Sequence, residues 1–131
     1  MFVANLNKAQ QEMLLAFANQ IIDADGVLNK KETYFLEAIK SQCVSEISLG
    51  KTFSIIQTSE IFITQRDRVS LLLELISIAL ADGEYHREEI NIIREIASEL
   101  NISMEQLQNM ESWVKRQFSL LKEANNLMGG E

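Results

Sequence analysis

Two nine-residue segments contain the residues best suited to chemistry. Residues 24–32 read Ala-Asp-Gly-Val-Leu-Asn-Lys-Lys-Glu, and residues 81–89 read Ala-Asp-Gly-Glu-Tyr-His-Arg-Glu-Glu. In both segments an aspartate precedes a glycine, and a glutamate follows that glycine by six residues. Carboxylate oxygens are the ligands that hard cations such as Ca²⁺, Mg²⁺ and Mn²⁺ prefer. The repeat therefore predicts two similar acidic corners, each of them a candidate metal site.

The candidate ligands are the acidic residues at and around these corners. The five principal candidates are Asp23, Asp25, Glu32, Asp82 and Glu89. Three secondary candidates are Glu84, His86 and Glu88. The histidine would add a nitrogen ligand, which also suits Zn²⁺. The spacing is not that of an EF-hand loop, because Ile21 and Ile78 stand where the first ligand would be. We therefore expect any cation site to have a different geometry.

The same residues also have a purely structural interpretation. Gly26 and Gly83 follow predicted helix ends, where a residue in the left-handed conformation closes the turn. Glu32 and Glu89 lie three residues after predicted N-caps, where a glutamate accepts a hydrogen bond from the N-cap amide. The corner aspartates are disfavoured by the helix dipole. Either an Asx-turn or a bound cation would offset that cost, and the two can coexist.

Helices are the elements that must position these corners. Apolar residues recur at about the 3.6-residue helical period, and no stretch alternates cleanly. The predicted helices cover residues 7–24, a stretch from about 30, a short piece within 45–63, a stretch from 64, 87–100 and 103–126. The helix after Thr64 is apolar nearly all round, which is typical of a central helix. The sequence predicts one all-α domain over residues 1–131, with about six helices in two related helix–corner–helix units and a frayed tail at 129–131.

Composition excludes several classes of partner. The chain has 19 acidic and 12 basic residues in 131, for a net charge of −7. This balance argues against binding to nucleic acid or to an anionic membrane surface. We expect no signal peptide at the start, and the longest apolar stretch, residues 69–81, is too short to span a bilayer. A cytoplasmic protein is expected.

Catalytic chemistry has few candidate residues. Cys43 is the only cysteine and His86 the only histidine, so a nucleophile–histidine pair would have to use His86. Cys43 has the helical spacing of a buried, inert side chain. We expect no enzyme. On the last predicted helix, Trp113, Leu120 and Leu127 form a seven-residue row, which is either part of a broad core face or a patch for a protein partner or a second subunit in a homodimer.

The second segment and its flanks resemble the TerB-like family of tellurite resistance proteins. The similar residues are Ile-Ala-Leu-Ala-Asp-Gly at 78–83, Ile-Ile-Arg-Glu-Ile-Ala at 92–97 and the turn at 100–107. The resemblance extends over about residues 10–120. It implies an all-helical, non-catalytic bacterial protein that is tied to tellurite and other chemical stress, with a stand-alone or adaptor role. By motif matching, it also implies a divalent-metal site at Asp25, Glu32, Asp82 and Glu89. The alternative is a protein-interaction module in which the corners are purely structural.

Overall fold

The computed structural model describes residues 1–24 and 30–130. Within these residues the chain forms six α-helices and no strand, which confirms the predicted all-α class. The helices are α1 Lys8–Asp23, α2 Lys30–Gln42, α3 Thr58–Ile61, α4 Gln65–Ala79, α5 Arg87–Glu99 and α6 Met104–Leu127. Of the helices in these two described ranges, none is both long enough and apolar enough to cross a membrane.

Local capping explains where the long helices begin. Asn7 and Gln10 form a capping box, in which each side chain accepts a hydrogen bond of 2.9 Å from the other residue's amide. Thr64 caps α4, because its hydroxyl oxygen accepts from the Asp67 amide at 3.1 Å. A reciprocal pair of the same kind begins α6 at Ser103. These bonds satisfy amides that have no partner within their own helix.

The centre of the core is α4. This helix contacts α1, α2, α5 and α6, as expected for a helix that is apolar on most of its circumference. Leu72 and Ile76 on α4 are fully buried, and so are Phe17 and Ile21 on α1 and Ile93 on α5. The packing of four helices around α4 fixes the positions of both ends of α4, including the end that leads into the second acidic corner.

Two apolar side chains have the helical spacing of core residues but are exposed in the structure. Tyr34 is 74% exposed, and its neighbour Phe35 packs against the core instead. Leu121 continues the apolar stripe of α6 but is 56% exposed, because the core packing of that stripe ends near Val114 and Phe118. A helical stripe therefore predicts which face is apolar, but not how far along the helix that face is covered.

The predicted short helix between α2 and α4 is present. A 3₁₀ turn at Ile55–Gln57 leads into α3. The preceding loop is fixed to α1 by Glu12, whose carboxylate accepts from the Ser48 amide at 2.7 Å and from the Lys51 ammonium at 2.9 Å. A buried carboxylate on one element thus holds a loop that has no regular structure of its own.

Candidate functional site

The second acidic corner begins where α4 ends. Gly83 has a φ of +88°, and its amide donates to the Leu80 carbonyl at 3.0 Å, which confirms its predicted role in the turn. The Asp82 carboxylate accepts from the Glu84 amide at 2.9 Å, two residues further on. This bond is the Asx-turn predicted for the corner, and it offsets the unfavourable position of the aspartate near the carboxyl end of a helix.

A histidine joins the same corner. The Nε2 atom of His86 lies 3.2 Å from the second carboxylate oxygen of Asp82 and 3.8 Å from the carboxylate of Glu84. The Glu84 side chain is 77% exposed, so solvent weakens its attraction to the ring. The closer pair, Asp82 and His86, links the turn to the N-cap residue of α5 and holds the imidazole against the corner.

Two glutamates meet beneath the corner. Glu32 lies in the first turn of α2 and Glu89 in the first turn of α5, and both side chains are buried. The Oε1 atom of Glu89 accepts from the His86 amide at 3.0 Å, which confirms the predicted capping contact of the second copy. The other oxygen of Glu89 is buried and receives no N–H or hydroxyl donor from the described residues. A carboxyl such as Glu32 can bond to it only through a shared proton.

Burial and the neighbouring Glu32 change the ionisation of Glu89. Burial, together with hydrogen bonding to Glu32 and its charge, raises the pKa of Glu89 to about 8, against the opposing effect of the His86 amide. At neutral pH Glu89 is therefore mostly protonated and can donate to Glu32. If both carboxyls were ionised, two negative charges would stand together in the core unless a cation joined them.

The remaining candidates are more dispersed. Asp23 at the end of α1 and Glu88 on α5 are exposed. Asp25, together with Gly26 and Asn29 of the first corner, lies outside the described residues. In the part of the chain that is described, no three or more histidine, cysteine or acidic side chains are arranged to hold a metal ion. The structure thus brings together Glu32 with Glu89, and Asp82 with His86 and Glu84, but not all the candidates in one cluster.

The thiol of Cys43 has the properties expected of an inert cysteine. It is half-buried just after α2, and its sulfur donates to the Ile39 carbonyl at 3.3 Å. Burial and the nearby Glu74 carboxylate raise the pKa of the thiol, which keeps it protonated at neutral pH. A protonated thiol is a poor nucleophile, so its environment gives no support to cysteine catalysis.

Sequence reasoning missed two other buried carboxylates, Glu12 and Glu74. Both lie on apolar helix faces, and each carries a cationic partner, Lys51 for Glu12 and the amino group of Met1 for Glu74. The available signal was a single acidic residue inside an otherwise apolar helical stripe. Such a residue needs a buried partner, but neither partner lies within a helical turn of it in sequence.

Comparison with known proteins identifies a family. The family model described as Tellurite resistance protein TerB matches residues 43–112, slightly more than half of the chain. The matched region contains the second acidic corner and Glu89, whereas Glu32 lies before it. No curated protein and no solved structure matches the chain significantly.

Proposed function

Because the chain belongs to the family of the tellurite resistance protein TerB, we propose that it is a non-enzymatic bacterial stress-response or adaptor protein that binds a divalent cation. The cation would be Ca²⁺, Mg²⁺, Mn²⁺ or Zn²⁺. The cytoplasm is the proposed location. The observation that carries the metal proposal is the buried pair of Glu32 and Glu89, one from each acidic segment.

The pair is suited to a cation because it brings two buried carboxyls together, one of which, Glu89, keeps a proton at neutral pH. Both carboxyls are buried, and the fixed donor to Glu89 is a neutral amide of His86. A proton shared between the two removes the repulsion at neutral pH, and a divalent cation would remove it more completely. Metal binding requires deprotonated ligands, so the cation would compete with the proton on Glu89.

The pair supplies two carboxylates, and a hard cation needs more oxygen ligands than that. Asp25 is the proposed ligand from the first corner, on the strength of its place in the repeat. Asp82 is a weaker candidate than its motif suggests, because both of its oxygens already have partners in the turn and in His86. The other four candidates would contribute only from the rim of the site, namely Asp23, Glu84, His86 and Glu88.

Calorimetric titration with each of the four metals tests this proposal. We expect binding to be tighter at about pH 9 than at about pH 6, with heat that depends on the buffer, because the metal must displace the Glu89 proton. Glu89→Gln should abolish binding, and the control Glu95→Gln, which changes an exposed carboxylate on the same helix outside the candidate ligands, should retain it. If the wild type binds no metal at millimolar concentration, or if both variants behave alike, the proposal is wrong.

A protein-interaction module without metal is the second candidate, favoured by the exposed end of α6. The side chains of Leu120, Leu121, Leu127 and Met128 are between 56% and 89% exposed. Trp113, which belongs to the same predicted row, packs against Phe2 instead, with ring centroids 5.7 Å apart. The patch is therefore shorter than the row predicted from sequence. An unidentified protein or a second copy of the chain would cover it.

Sedimentation equilibrium distinguishes these occupants. A homodimer through the end of α6 should dissociate in Leu120→Glu and Leu127→Glu, but not in the control Leu49→Glu, where the leucine is 58% exposed outside α6. A monomeric wild type would exclude the second copy. Pull-down with the wild type and the Leu127→Glu variant then tests a different partner, and equal recovery of proteins by both would contradict the module.

A further inference from the structure

A cleft between α2, α4 and α6 lies apart from the acidic corners. We name it the Glu74 cleft, after the carboxylate of α4 that lines it, and its volume is about 180 Å³. Aromatic rings from three parts of the chain line it, namely Phe2, Phe35, Trp113 and Phe118. Apolar cavities of about 150 Å³ bind ligands as large as benzene. The Glu74 cleft therefore has room for a small organic molecule.

The carboxylate of the cleft is buried in an apolar helix. Glu74 is only 6% exposed and lies on α4 among side chains that form the centre of the core. A buried carboxylate is costly unless it is paired with a positive charge or well supplied with donors. No lysine or arginine lines the cleft among the residues that the structure describes. The positive charge must come from another kind of group.

In the structure, a primary ammonium group supplies that charge. The amino group of Met1 lies 3.0 Å from Oε1 of Glu74 and also donates to the side-chain oxygen of Gln42 at 3.1 Å. The amide of Phe2 donates to the same Glu74 oxygen at 2.7 Å. The cleft thus presents two acceptors for an ammonium group, one charged and one neutral.

The walls of the cleft are suited to the rest of an amine ligand. Phe35 and Phe118 meet edge to face with centroids 5.7 Å apart, and Phe2 and Trp113 meet at the same distance. Aromatic rings attract cations near their faces, and they also bury apolar chains. A carboxylate within an aromatic cleft therefore favours a ligand with a cationic head and an apolar body.

We propose that the Glu74 cleft binds a primary ammonium group carried on a short apolar chain, with Glu74 and Gln42 as acceptors and the aromatic rings around the chain. Such an amine competes with the amino group of Met1 for the same carboxylate oxygen. This site does not depend on the proposed metal site, since none of its residues belongs to the acidic corners.

The test is a titration with n-hexylamine, and hexan-1-ol is the matched uncharged probe. Trp113 is the only tryptophan and lines the cleft, so its fluorescence reports on occupancy. We expect a saturable change with hexylamine and at least about tenfold weaker binding of hexanol. Equal affinities would show that the Glu74 carboxylate does not recognise the ammonium group. The absence of a saturable response to hexylamine would overturn the proposal.

Substitution of the acceptor extends the test. Glu74→Gln should bind hexylamine at least about tenfold more weakly, whereas the control Glu95→Gln, on the exposed face of α5, should match the wild type. Circular dichroism must first show that Glu74→Gln is folded. If the variant is unfolded, the comparison of hexylamine with hexanol on the wild type still tests the proposal. If the variant is folded and its affinity for hexylamine is unchanged, Glu74 is not the acceptor and the proposal is wrong.

Discussion

The protein buries glutamates in two different electrostatic settings. Glu12 and Glu74 each face a cationic group, at 2.9 Å from Lys51 and 3.0 Å from the amino group of Met1. Glu32 and Glu89 instead face each other. The first two carboxylates are balanced by opposite charges of the chain itself. In the second pair, Glu89 keeps a proton at neutral pH, so the pair carries less negative charge than two ionised carboxylates would.

The difference separates two carboxylates that have a cationic partner within the chain from a candidate metal-binding pair. A further cation can bind a carboxylate of the first kind only by displacing the partner that it already has. A carboxyl that keeps its proton because it is buried beside another acidic group remains open to exchange of that proton for a metal ion. The following three predictions test this contrast, from the largest expected effect to the smallest.

The largest effect is expected from Glu89→Gln without metal. The folded state holds a proton on Glu89 up to a pKa of about 8, whereas the unfolded chain loses it near the ordinary value of 4.5. The folded state therefore binds more protons between these values, and the free energy of unfolding falls as pH rises through them. The total fall should be on the order of a few kcal/mol.

Urea denaturation in the presence of a chelator measures this fall. In Glu89→Gln the slope between about pH 5 and about pH 8 should be much smaller than in Glu88→Gln, because the Glu89→Gln substitution removes the carboxyl whose pKa is raised to about 8. At about pH 8 the Glu89→Gln variant should be the more stable of the two. Equal slopes would show that the pair does not share a proton.

The next effect has the opposite sign and concerns Glu12. The Lys51 ammonium and the Ser48 amide lower the pKa of Glu12, so its stabilisation is present above the ordinary value and is lost as pH falls through the lowered one. Glu12→Gln should lower the free energy of unfolding at neutral pH. On acidification, that free energy should fall less in the variant than in the wild type. Thermal unfolding against pH measures both, and the exposed Glu46→Gln on the same loop should behave as wild type.

The smallest effect on the free energy of unfolding is expected at the turn after α4, where Asp82 accepts from the Glu84 amide. Asp82→Ala removes the acceptor for the Glu84 amide and should cost about 1 kcal/mol in the free energy of unfolding. Asp82→Asn keeps a side-chain oxygen that can accept the same bond, and should cost less. Glu84→Gln at the exposed rim should change stability by under about 0.5 kcal/mol. If Asn and Ala cost the same in denaturant titrations, the Asx-turn does not stabilise the corner.

Local features of this fold could be predicted from the sequence. The capping pair Asn7 and Gln10, the Thr64 cap and the role of Gly83 all follow from bonds between residues a few positions apart. Such bonds depend on residue type and spacing, which the sequence contains in full. The central position of α4 was also predictable, because an apolar surface on all sides requires neighbours on all sides.

The candidate site was only partly predictable. The repeat identified Glu32 and Glu89 as equivalent positions, but their contact depends on how α2 and α5 pack, and no local rule fixes that. The amino group of Met1 reaches Glu74 across 73 positions of the chain. Leu121 lies at the helical spacing of the apolar stripe of α6, and yet it is exposed because the core does not extend that far along the helix. Long-range packing, rather than residue type, decided each of these cases.

The enclosure of α4 has a consequence for the kinetics of the molecule. Because α4 is surrounded by α1, α2, α5 and α6, its amides can exchange with deuterium only when those helices separate from it. Glu74 lies within α4 and Asp82 just beyond its end, so the cleft and the second corner are both anchored to a helix whose amides we expect to exchange slowly. Exchange of the proposed ligands at either place would then proceed through movements of side chains, on timescales far shorter than the opening of the core.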